Sequence, residues 1–153
     1  MREILFKAKR IDNGEWVEGY YIYHIKRTIC PFNDSVKPED EQHVIMQDGF
    51  SDWNMPRDTV VFDIDPKTLC QYTGLKDKNG NRIWENDICD RKEEYPEIVT
   101  YEKGDWQLDY SYAFGKTMHS NACNLGFYVC ERNCVKVIGN IFDNPELLER
   151  TVE

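Results

Sequence analysis

Histidine, basic charge and long apolar stretches are all in short supply in this sequence. Three histidines occur in 153 residues, His24, His43 and His119. None lies in a His-Glu-x2-His helix pattern, and the Gly-x-Ser-x-Gly elbow and the Gly-x4-Gly-Lys phosphate loop are both missing, so no recognisable catalytic apparatus is written locally. The longest apolar runs, Tyr20–Tyr23 and Phe127–Cys130, are four residues each, far short of the ~20 that a membrane helix needs. The first ten residues return to charge after Ile4-Leu5-Phe6 and lack the apolar core of an export signal. A cytoplasmic protein with no membrane association is expected. Nineteen basic residues face 28 acidic ones, a net charge of −9, and the halves on either side of Lys76 are both acidic. That balance disfavours nucleic acid, whose phosphates demand a basic surface. The one local basic excess, Arg2, Lys7, Lys9 and Arg10 against Glu3, reads as a solvated strand face. The acidic residues are interleaved with lysine and arginine, which suits solubility better than imitation of DNA.

Six cysteines are too sparse for a secreted disulfide scaffold and are expected as thiols. Cys30, Cys70 and Cys89 stand alone and read as small buried hydrophobes. His119-x3-Cys123-x6-Cys130-x3-Cys134 is the one cluster with zinc-like chemistry, but it has no Cys-x2-Cys knuckle. If Cys130 to Cys134 is a strand, the thiols stand about 13 Å apart and cannot share an ion. If Glu131-Arg132-Asn133 is a turn, they could face each other across a hairpin. A structural role is favoured, with no metal or cofactor.

What the chain does contain is apolar and aromatic residue, 41% and 13%, arranged at a period of two. Ile4, Phe6 and Ala8 alternate with Leu5, Lys7 and Lys9, Asp12-Asn13-Gly14 follows as a hairpin signal, and Trp16 to Ile25 reads as the returning strand. Thr28 to Gln42, broken by Pro31 and Pro38, is a long loop. His43 to Gln47 and Thr59 to Ile64 are strand-like and flank a segment bearing Phe50, Trp53 and Met55. These three either form an exposed contact patch or fold back as a lid, the lid being favoured. After Asp65-Pro66 come Leu69 to Thr73, a reversal at Gly74, the turn Lys78-Asn79-Gly80-Asn81, and Arg82-Ile83-Trp84. Further strands are expected at Glu97 to Lys103, Trp106 to Tyr112, Phe127 to Cys130 and Cys134 to Phe142. Asn144 as N-cap and Pro145 at the first helical position suggest a short C-terminal helix of about two turns. The pattern implies a mainly β protein of small SH3-like or partly open β-barrel units, divided into an N-terminal subdomain, 1–66, and a C-terminal one, 67–153, or joined as one domain.

Three stretches are distinctive: Met1 to Arg10; Gln71-Tyr72-Thr73-Gly74-Leu75-Lys76-Asp77-Lys78-Asn79-Gly80-Asn81-Arg82-Ile83-Trp84-Glu85-Asn86-Asp87-Ile88; and Val137-Ile138-Gly139-Asn140-Ile141-Phe142-Asp143-Asn144-Pro145-Glu146-Leu147-Leu148. In order and spacing they resemble the YopX family of phage and prophage proteins. That family usually reads aromatic-Glu-Gly-Asp where this chain has Trp84-Glu85-Asn86-Asp87, and Asn is the residue that best replaces Gly at positive φ. The resemblance implies a phage or prophage origin and a mostly β fold, and carries no activity, cofactor or catalytic residue. In the central motif, folding accounts for every residue. The functional alternative makes Lys76, Asp77, Lys78 and Arg82 a polar rim and pairs Glu85 with Asp87 as a cation or partner site.

A non-enzymatic accessory protein acting through protein contacts is the leading expectation, with self-association through strand edges plausible. A surface of Lys76, Asp77, Lys78, Arg82, Glu85, Asp87, Phe50 and Trp53 would make the contacts. One alternative is a small barrel binding single strands through Tyr20, Tyr21 and Tyr23 beside Lys26 and Arg27. Another is a metal-dependent enzyme using His119 and the late cysteines.

Overall fold

In the computed structural model, residues 1–114 and 123–149 are described. The chain forms two compact units, Ile4–Gln71 and Tyr72 onward, the latter joined by Met1–Glu3. Nearly all regular structure is antiparallel strand: β1 (Phe6–Lys9), β2 (Trp16–Ile25), β3 (Glu41–Asp48), β4 (Thr59–Asp63), β5 (Cys70–Lys76), β6 (Arg82–Trp84), β7 (Asp87–Asp90), β8 (Glu97–Glu102), β9 (Asp105–Asp109), β10 (Cys123–Asn124) and β11 (Lys136–Asn140). No α-helix of regular length occurs among the described residues.

In the first unit β4, β3, β2 and β1 are neighbours in that order, and β1 pairs on its far side with the start of β5, Phe6 opposite Gln71. The Asp12-Asn13-Gly14 reversal joins β1 and β2 as expected. Only Gly14 takes a positive φ, +70°, while the Asn13 Oδ1 accepts the Glu15 N–H at 2.9 Å, the side chain standing in for a backbone acceptor. Beyond β4 the chain returns to β1 through a bridge between Arg10 and Ile64, reinforced by Asp65 N–H to the Lys9 carbonyl (2.9 Å) and Lys9 N–H to Thr68 Oγ1 (2.8 Å). This curl closes over Ala8, Val17, Ile45 and Ile64, padded by Phe6, Tyr21, Phe62 and Leu69. Each fully buried Ile contributes roughly 2–3 kcal/mol of burial free energy. The bend needs Gly19: a Cβ there would lie 2.3 Å from the Met46 carbonyl oxygen and 2.9 Å from Ile45 Cγ2.

The second unit is a five-stranded sheet ordered β10-β9-β8-β7-β11, with the β5–β6 hairpin contributing Ile83 to its core of Cys89, Val99, Leu108, Leu125 and Val135. Four sequence expectations are corrected here. Gly74, φ +85°, lies in a bulge inside β5 between the Tyr72–Trp84 and Lys76–Arg82 pairs, not at a reversal; the extra residues on β5 bend the strand without ending it. The strand expected over Trp106 to Tyr112 stops at Asp109, whose Oδ1 and Oδ2 accept the N–H (2.7 Å) and Oγ (3.0 Å) of Ser111. This Asx turn outcompetes the sheet ladder, and Ser111–Phe114 continues as a 3-10 turn. Phe127–Glu131 is a π-helical turn, not a strand. The expected C-terminal helix is one 3-10 turn, Pro145–Leu148, because Asn144 Oδ1 accepts the Asn140 N–H (3.3 Å) and makes no cap to the turn.

Gly19→Ala is expected to destabilise the protein by about 1–3 kcal/mol through overpacking against backbone, read as a lower urea midpoint at unchanged slope.

Candidate functional site

The central motif folds as two consecutive turns. In the first, Asp77 is 6% exposed. Its Oδ1 accepts the N–H groups of Asn79 and Asn81, both at 2.9 Å, and its Oδ2 accepts the Asn81 Nδ2 at 3.3 Å and the Val137 N–H at 3.0 Å. Burial opposes the charge on this carboxylate, but the hydrogen bonds from Val137, Asn81 and Asn79 outweigh it and hold its pKa below the ordinary value. In the second turn Asp87, also buried, accepts the Trp84 N–H at 2.8 Å through Oδ2. Asn86 sits at φ +67°, as its place in the motif implies, and its backbone bonds to Val99 and Ile141. Lys76 and Lys78 are exposed. Arg82 lies opposite Lys76 in the ladder, stacks 5.3 Å from the Tyr72 ring and reaches Glu3 at 3.4 Å. Glu85 is half-buried. Thus Lys76, Lys78 and Arg82 share one hairpin, whereas Asp77 and Asp87 are turned inward to hold backbone.

Phe50 and Trp53 belong to the first unit. They are 92% and 96% exposed, with Met55 at 63%, so the segment between β3 and β4 does not fold back as a lid. Its own bonds, Gly49 N–H to Asp58 O (2.7 Å) and Met55 N–H to Asp52 O (3.1 Å), shape the loop locally and leave these rings in solvent. The tyrosines expected as a stacking platform do not form one. In an extended strand Tyr20 and Ile22 face one way and Tyr21, Tyr23 and Ile25 the other. Tyr21 is bonded through its hydroxyl to His43 Nδ1 (2.6 Å) and stacks on that ring at 6.0 Å. The Arg27 guanidinium is held by Asp40 (2.8 Å) and Asp34 (2.8 Å), which orders the long loop before β3. Lys7 and Lys9 lie over Trp16, and Arg10 over Phe62 beside Asp12. Lys7, Lys9, Arg10 and Arg27 are thus committed to intramolecular partners.

Of the late cysteines, Cys130 is exposed and Cys123 and Cys134 partly so, all as free thiols. Glu131 closes the π-helical turn, and Arg132 and Asn133, the latter at φ +47°, lead on to Cys134. His119 lies outside the described residues. Among those described, no group of three or more His, Cys, Asp or Glu is placed to hold a metal. Sequence reading passed over a different cluster. Glu97, 1% exposed, pairs with Arg91 Nε at 2.5 Å, while Arg91 also reaches Glu93 (2.9 Å) and Cys123 Sγ (3.5 Å) and lies over Tyr128 at 4.2 Å. Glu97 faces the core because it lies opposite Cys89 in the β7–β8 ladder. Its Oε2 has no hydrogen-bond partner among the described residues. Burial raises the Glu97 pKa above its ordinary value, only partly offset by Arg91. A carboxylate at an inward position was the available signal; alternation over Glu97 to Lys103 puts Glu97 and Val99 on one face.

The YopX protein family model matches residues 5–149. The chain belongs to the YopX family. A crystal structure of protein EF1440 from Enterococcus faecalis is similar, 23% identical over 97% of this chain and 99% of that one, with a TM-score of 0.49. A search of curated proteins finds no match. In this YopX-family chain the two aspartates of the central motif close turns.

Asp77→Ala strands the Val137, Asn79 and Asn81 amides and is expected to cost roughly 3 kcal/mol in denaturant unfolding. Because the folded-state pKa of Asp77 is depressed, its stabilisation is complete above the unfolded value near 3.8 and is lost as pH falls through the lower folded value. Asp77→Asn should flatten that acid limb. The sign for Glu97 is opposite: a raised pKa means the folded state binds the proton more tightly, so stability falls as pH rises from about 4.5 through the folded value. In Glu97→Gln that decline should disappear from stability-against-pH curves measured by urea titration.

Proposed function

We propose that this protein is a non-enzymatic accessory factor of phage or prophage origin that works through protein contacts in the cytoplasm. The observation that carries the reading is the loop between β3 and β4, which holds Phe50 and Trp53 in solvent. Large aromatic side chains so exposed contribute nothing to the fold, and residues of this kind dominate the energetics of protein interfaces. Family membership supports the phage origin only as an implication of the resemblance. The two aspartates of the central motif are occupied by backbone amides, which supports a scaffold role for that motif and leaves the surface loops to make contacts. The nucleic-acid alternative loses support, since Arg27 is paired with two aspartates and Tyr21 with His43.

The test is quantitative affinity capture from host cells during prophage induction, comparing the wild-type chain with Phe50→Ser/Trp53→Ser. The double variant should unfold within about 0.5 kcal/mol of wild type, as surface changes do, yet lose at least tenfold in recovery of one specific partner, a second copy of the chain included. Equal recovery by the two proteins would refute the reading.

A further inference from the structure

The second unit carries a small cavity that the family motif does not touch. It measures about 190 Å³ and is lined by Arg91, Glu93, Glu94, Tyr95, Tyr110 and Phe114. That is room for about six waters, too small for a drug-sized ligand and well matched to a single head group. Three of its walls are aromatic rings set nearly at right angles: Phe114 meets Tyr95 at 5.4 Å and 76°, and Tyr110 at 5.9 Å and 69°. In each pair the edge of one ring meets the face of the other, and all three rings line one volume.

The charges around the cavity select the ligand. Among the described residues one cation, Arg91, lines it with two carboxylates, Glu93 and Glu94. The Arg91 charge is engaged by Glu97 and Glu93, and its guanidinium face by Tyr128. An anion would meet two carboxylates and an arginine already paired. A cation would meet aromatic rings and, among the described residues, a net negative rim, the combination that binds alkylated ammonium groups. The site is also braced before any ligand arrives. Tyr112 Oη donates to the Pro96 carbonyl at 2.6 Å, tying the segment of Tyr110 and Phe114 to that of Tyr95, and the Asp109–Ser111 turn fixes where the first segment leaves β9. Preorganisation of this kind reduces the entropy cost of binding.

From these observations we infer that Tyr95, Tyr110 and Phe114, with Glu93 and Glu94, form an aromatic cage for an alkylated ammonium head group, carried either by a modified lysine side chain or by a small choline-like molecule. The cage is independent of the Phe50 and Trp53 loop, so either idea can fail without the other.

The experiment is an NMR titration of the aromatic ring protons of the full chain with choline, with N-acetyl-trimethyllysine amide, and with 3,3-dimethylbutanol, the uncharged isostere of choline. Saturable shifts of the Tyr95, Tyr110 and Phe114 rings are expected with at least one cation, at least tenfold tighter than with the isostere. Tyr110→Leu should weaken the cation at least tenfold and Tyr110→Phe, which keeps the ring, less than threefold. Tighter binding of the lysine derivative assigns the head group to a polypeptide, and tighter binding of choline to a free small molecule. Equal binding of the isostere, no saturable shift with either cation, or unchanged affinity in a folded Tyr110→Leu protein would overturn the proposal. The isostere comparison uses wild-type protein and so stands even if Tyr110→Leu does not fold.

Discussion

A single buried carboxylate holds the second unit to its register. Asp77 receives two amides of its own turn and the amide of Val137, sixty residues further along the chain. The neighbouring Lys78 amide bonds to the Val135 carbonyl at 3.0 Å, so the β5–β6 hairpin and the start of β11 are fixed together at one point. A buried, ionised carboxylate is tolerated only because every approach to it is filled by a donor. Once β11 is set against that hairpin, its pairing with β7 follows, Val137 opposite Cys89, and the core of Ile83, Cys89, Val99 and Val135 closes beneath it.

The most recognisable stretches of this family member thus perform structural work. The C-terminal motif behaves likewise: Asn140 Oδ1 accepts the Phe142 and Asp143 amides, and Gly139 has no room for a Cβ, which would lie 2.5 Å from Asn144 Oδ1. Chemistry left over from folding gathers elsewhere. It lies in the loop that exposes Phe50 and Trp53 and in the ring cluster beside Glu93 and Glu94. Neither draws on the motif's carboxylates, and both are surface features of a kind that can vary while the framework stays constant.

Strands such as Phe6 to Lys9, with clean alternation, and Thr59 to Asp63, a β-branched apolar run, and turns with strong local chemistry, such as Asp12 to Gly14 and Lys78 to Asn81, were legible because the determining interactions span only a few residues. Asn86 was legible for the same reason, since positive φ is a property of one residue. The misreadings share a cause. Tyr110 and Tyr112 continue the alternation of β9, yet Asp109 captures the Ser111 amide and bends the chain; side-chain competition for a backbone donor leaves no trace in periodicity. The Phe50 segment was expected as a lid because apolar residues usually find cover, whereas the loop's own hydrogen bonds hold it with Phe50 and Trp53 in solvent.

By itself, then, the sequence determined that this chain is a β protein, where most of its hairpins turn, and that it belongs among YopX proteins, because local patterning and turn chemistry act over short separations. Tertiary structure decided that Asp77 reaches Val137, that Glu97 faces Arg91 inside the core, and that Tyr95, Tyr110 and Phe114 surround one cavity. Each of these brings together groups whose meeting depends on the packing of several strands at once, a property no short stretch of residues carries.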